Sequence, residues 1–132
     1  MHILPDHITH ASGERKSVCV TACLTALGVP VERFHYTGGT GDNRRAVILR
    51  RFGYKVRSRM SRLGRNATTG RARVAIRKMQ DPAGTVYMVC QLGTARNSGH
   101  MILIDATGKT IVDTAPRKID KRRVFSIHAV YK

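Results

Sequence analysis

A chain of 132 residues is long enough for one domain, spanning residues 1–132, with a genuine apolar core. Lys and Arg number 24 against 8 Asp and Glu, a formal net charge of +16, which favours acidic or polyanionic partners over cationic ones. The three cysteines, Cys19, Cys23 and Cys90, argue against a disulfide framework and for a reducing compartment. With no run of about 18 apolar residues and no basic-then-apolar leader, a soluble, cytoplasmic chain without membrane contact is expected.

Residues 1–16 are polar and irregular. His2, His7 and His10 have no further ligand at a metal-site spacing and read as satisfied or solvent-facing histidines. Ser17 to Leu27 reads as a helix, with Ser17 as N-cap, Gly28 just past its end and Pro30 forbidding continuation. Val20, Cys23, Leu24 and Leu27 form its buried stripe. Cys19 falls in the first turn, where unpaired amide N–H groups favour a thiolate. The plainer reading, in which Cys19 and Cys23 are both small core residues, stays open from this segment alone. Val31 to His35 reads as one helical turn. The glycine-rich stretch Tyr36 to Asp42 lacks the Lys-Ser/Thr ending of a phosphate loop, and a loop bordering a cleft fits it better.

Arg44 to Phe52 reads as a second helix ended by Gly53, followed by a strand over Tyr54 to Arg57. Met60 to Thr69 is a basic loop. Arg71 to Gln80 fits a third helix, with Val74, Ala75 and the stem of Lys78 on its inner side, stopped by Asp81-Pro82-Ala83-Gly84. From Asn43 to Gln80 there are 13 basic residues and no acidic one. Residues 43–80 are thus a candidate docking segment for nucleic acid or an acidic protein, weighed against a merely solvated surface. Aromatic residues in it are few, so no single-strand stacking platform is indicated.

Thr85 to Gln91 is an apolar, β-prone strand containing Cys90, and Gly93 to Gly99 is a loop. A hairpin follows: His100 to Asp105, a turn at Thr107-Gly108, and a return through Thr110 to Asp113. Val124 to Tyr131 supplies a last alternating strand. The expected class is α+β, with N-terminal helices packed on a C-terminal, mostly antiparallel sheet. A two-residue turn at Thr107-Gly108 pairs Asp113 with Ile102 and sets it diagonal to His100 on the same face, at roughly 7–8 Å between backbones. An odd turn breaks that parity. Asp105 lies on the opposite face, so Asp113 is the better partner for His100.

A carboxylate on one imidazole nitrogen fixes the tautomer and stabilises the imidazolium, leaving the other nitrogen to take a proton from a thiol. Cys19, His100 and Asp113 therefore form a candidate catalytic set. The order resembles that of the papain-like cysteine peptidase superfamily, in which the nucleophile begins a helix and His and Asp or Asn lie on later strands. Cys19-Val20-Thr21-Ala22-Cys23-Leu24 looks like the start of the nucleophile helix in bacteriocin-processing peptidases and related small phage proteins. Gly99 to Ile104, followed by Ile111-Val112-Asp113-Thr114, looks like their His and Asp strands. The resemblance spans about residues 14–115. It implies a papain-like fold and a cysteine-dependent peptidase or isopeptidase working through a thioester, with no cofactor or metal. It also implies a phage-like origin, hence a host-cytoplasm or virion location.

Two departures accompany the resemblance. No Gln stands a few residues before Cys19, so Ser12, Arg15 or the Cys19 backbone N–H would have to supply the oxyanion hole. Val18 replaces the common Asp. The alternative expectation is a non-catalytic, basic nucleic-acid- or protein-binding protein on the same scaffold. A zinc site built from Cys19, Cys23, Cys90 and His100 fits no familiar ligand spacing.

Overall fold

The computed structural model describes residues 18–30, 42–59, 67–92 and 99–132. His2, His7, His10, Ser12, Arg15 and the proposed cap Ser17 lie outside them. So do the turn at 31–35, most of the glycine-rich loop, residues 60–66 of the basic loop, and residues 93–98.

Helix α1 runs Val18–Ala26. It ends where the sequence predicts: Gly28, at φ 89°, donates to Thr25 O at 2.9 Å, and Val29 N–H donates back to Leu24 O at 3.0 Å. These two bonds satisfy the last carbonyls and require a residue comfortable in the left-handed region. The expected stripe of Val20, Cys23, Leu24 and Leu27 is buried along its length. Helix α2 covers Asp42–Arg51 and buries Ala46, Ile48 and Leu49. Strand β1 covers Lys55–Ser58.

Helix α3 spans Thr69–Arg77, two residues ahead of the predicted start, because Thr68 caps it: its hydroxyl accepts from Arg71 N. Its inner face also differs from expectation. Thr69, Ala72 and Ile76 are buried, whereas Val74 and Lys78 point outward. Ile76 presents more apolar surface than Val74, and turning it inward carries Ala72 and Thr69 with it at the helical period.

Strands β2 (Val86–Leu92), β3 (Gly99–Asp105), β4 (Thr110–Val112) and β5 (Val124–Tyr131) join β1 in a five-stranded sheet of order β1-β5-β2-β3-β4. Every pair is antiparallel. Strand alternation divides the core in two. Val86, Met88, Cys90, Met101 and Leu103 pack under α1 and α2. Tyr87, Val89, Ile102, Ile104, Ile127 and Ala129 pack under α3. The class is α+β, with helices on both faces of the sheet.

The β3–β4 turn is odd, not even. Asp105 N–H donates to Lys109 O at 2.9 Å and Gly108 N–H to Asp105 O at 3.0 Å, enclosing the three residues Ala106, Thr107 and Gly108. The Asp105 carboxylate fixes this turn by accepting from Thr107 N, Thr107 Oγ1 and Lys109 N. An odd turn alone would send Asp113 to the α1 face. Instead β4 carries a bulge: Ile104 pairs with Thr110 but Leu103 with Val112, leaving Ile111 as the extra residue. Turn and bulge cancel, and Asp113 returns to the face of His100.

Candidate active site

His100 is the second residue of β3, directly across the ladder from Gln91. Its Nε2 lies 2.6 Å from Asp113 Oδ1. The Asp113 carboxyl is pushed up by burial but held below its usual range by His100, by the Ala115 N–H and by the Arg122 charge. As an ionised carboxylate it can only accept, so Nε2 carries the hydrogen and Nδ1 is left for the thiol.

Cys19 sits in the first turn of α1, 6% exposed, and α1 packs on β3 and β4. Its side chain is hydrogen-bonded to the His100 ring. Burial draws the His100 pKa down, but the bonds to Asp113 and Cys19 and their charges outweigh it and lift it to about 9. The imidazole is thus built to hold a proton at neutral pH between two anionic or ionisable partners.

The other two cysteines make different hydrogen bonds. Cys23 is fully buried, its Sγ directed at Met101 O at 3.6 Å, and burial raises its pKa well above the ordinary thiol value. Cys90 accepts from Arg45 Nη2 at 3.4 Å within the same core. His128, on β5, is depressed by burial and by the charge of Arg45. The sheet therefore gives a single cysteine a histidine partner among the described residues. Those residues also contain no group of three or more His, Cys, Asp or Glu arranged to hold a metal ion.

Behind Asp113 lies a polar network not foreseen from sequence. Arg122, with 4% of its side chain exposed, donates to Asp113 Oδ2 at 3.3 Å and to Asp120 Oδ2 at 2.8 Å. Its Nε donates to Asp120 Oδ1 at 2.9 Å, and Nη2 also reaches Ala115 O at 3.3 Å. Burial opposes ionisation of Asp120, but the bonds from Arg122 and Gln91 bring its pKa down to about 2. Gln91 Nε2 donates to Thr69 Oγ1 at 2.7 Å and to Asp120 Oδ2 at 2.9 Å. Thr69 in turn donates to Arg122 O through both N–H and hydroxyl at 3.0 Å. The start of α3 is thereby tied to the loop that carries Arg122.

Gln91 is the glutamine nearest His100 along the ladder, yet it is no oxyanion donor. It is fully buried and both its N–H groups are committed inward. The first amides of α1, including that of Cys19, have no carbonyl one turn earlier within the helix and point beyond its N-terminus. In sequence, Arg122 stood in the run Lys121-Arg122-Arg123 and Gln91 at the end of an apolar strand. Neither carried a local mark of its role. Compared with protein-family models, curated proteins and solved structures, the chain shows no match.

Proposed function

We propose that this protein is a cysteine-dependent hydrolase on a papain-like scaffold, acting on a peptide or isopeptide bond. The observation that carries the reading is His100 held between Asp113, at 2.6 Å, and the Cys19 side chain. In the proposed cycle the Cys19 thiolate attacks the carbonyl carbon, and the tetrahedral oxyanion forms beside the N-terminal amides of α1. Collapse breaks the C–N bond as the His100 imidazolium gives its proton to the departing amine. The resulting thioester is hydrolysed by a water whose proton returns to His100, and the thiol and carboxylic acid product are released. Asp113 keeps the ring in one tautomer and favours its charged form throughout.

The missing glutamine donor sets an expectation for rate. Losing one oxyanion donor costs about 10²–10³ in turnover, so an electrophilic probe that labels the nucleophile is a more sensitive test than substrate cleavage. Incubation with a peptidyl vinyl sulfone, followed by intact mass and peptide mapping, should show one adduct, on Cys19. Labelling should vanish in Cys19→Ala and fall at least about a hundredfold in His100→Ala. Labelling of Cys19 at the same rate with and without His100, or none at all, would rule out the hydrolase.

A further inference from the structure

The fold regroups the basic segment. Among the described residues, the carboxylates that might neutralise it are already engaged: Asp81 with Arg59 of the segment itself and with the Tyr87 hydroxyl, Asp105 with its own turn, and Asp113 and Asp120 with Arg122. Meanwhile exposed cations gather on the α3 side of the sheet. Arg71, Arg77 and Lys78 stand on the solvent side of α3. Lys55 and Arg57 pair with Tyr131 and Ala129, which places them on the α3 side of the β1 edge. Lys109, exposed on the β3–β4 turn, is carried to the opposite flank, where Arg73 Nη1 donates to Gly108 O at 2.8 Å. None of these six makes an ion pair among the described residues.

The dimensions follow from the elements. Arg71 to Lys78 spans about 10 Å along the helix at 1.5 Å per residue. The sheet from β1 to β4 spans about 19 Å at the usual strand spacing. Cations thus lie along the α3 ridge and on both flanks of this face. Between them the ridge exposes Gly70 and Val74, which offer no hydrogen-bonding group to base edges. An extended acidic peptide would meet one line of cations at a time. A duplex presents phosphates on both walls of a groove, which the ridge and flanks can meet together.

We propose that the α3 face binds the phosphodiester backbone of duplex DNA without sequence preference, a property that needs no turnover at Cys19. The test is fluorescence anisotropy with a random-sequence duplex from 50 to 200 mM salt. Six phosphate contacts predict a slope of log K against log salt near about −5, a weakening of about 10³ over that range. The triple variant Arg71→Gln/Arg77→Gln/Lys78→Gln should reduce the slope by about 2.7 with an unchanged melting temperature. An equal charge change at the exposed residues Arg117, Lys118 and Lys121, each to Gln, should leave the slope within about 1 of wild type. Equal losses in the two triples would overturn the proposal, as would absence of binding. Displacement of the duplex by polyglutamate at equal charge concentration would reassign the face to an acidic protein, and preference for single strands would also refute it.

Discussion

Replacing Arg122 by Met tests the support behind the catalytic pair. The guanidinium is almost fully buried and bridges two carboxylates, so Arg122→Met fills its volume while leaving Asp113 and Asp120 without their cation. Removing one partner of a buried ion pair costs about 3–5 kcal/mol, which should appear as a lower urea midpoint with little change in slope. The loss should also be pH-dependent. Asp120 falls from an ordinary 3.8 to about 2 in the folded protein, so it contributes stability above pH 3.8 that is lost as pH falls through 2. At about 1.36 kcal/mol per tenfold change this is roughly 2 kcal/mol, or about 1–2 after solvent screening. Wild type should therefore lose that increment between pH 4 and 2, and Arg122→Met should lose less of it, so the two stability curves converge in acid. Parallel curves across that window, or a variant as stable as wild type at pH 7, would refute the role given to Arg122.

Two further outcomes follow from the geometry. Asp113→Asn keeps a group able to accept from Nε2 but removes the charge; the His100 titration, followed by nitrogen-15 NMR, should move down by about one pH unit or more. Gly108→Ala should destabilise more than Gly84→Ala in thermal melts. Both glycines have φ above 80°, worth about 1–2 kcal/mol each for an added Cβ, but at Gly108 that Cβ would also lie 3.2 Å from Arg77 Cγ and 3.4 Å from Arg73 O, whereas Gly84 has open space.

The three residues proposed for catalysis were legible because each carries a local signal: a cysteine in a helix's first turn, a histidine heading an apolar strand, and an aspartate at a countable register. The turn differs from the even one that the sequence predicts, and the bulge restores the register. Whether Ala106 belongs to strand or turn depends on the Asp105 side chain bonding to Thr107 and Lys109, and the bulge at Ile111 depends on how β4 meets β3. Neither is visible in hydrophobic alternation, and they cancel. The inner face of α3 differs from the expected one for a related reason: Val74 and Ile76 are both apolar, and the start fixed by Thr68 and the tie from Thr69 to Arg122 act with the larger apolar surface of Ile76 in selecting between them. Arg122 was illegible altogether, since a cation in a basic run looks like its solvated neighbours until Asp113 and Asp120 converge on it.

The state of His100 tests the central claim most directly. Nitrogen-15 NMR of labelled histidine, followed from pH 5 to 10, should show one ring titrating near about 9, protonated on both nitrogens at pH 7. In Cys19→Ala and in Asp113→Ala that value should fall toward the ordinary 6.5, because each removes a partner of the imidazolium. A His100 that titrates near 6.5 in the wild-type protein, unmoved by loss of either neighbour, would contradict the assignment of Cys19, His100 and Asp113 as one catalytic unit.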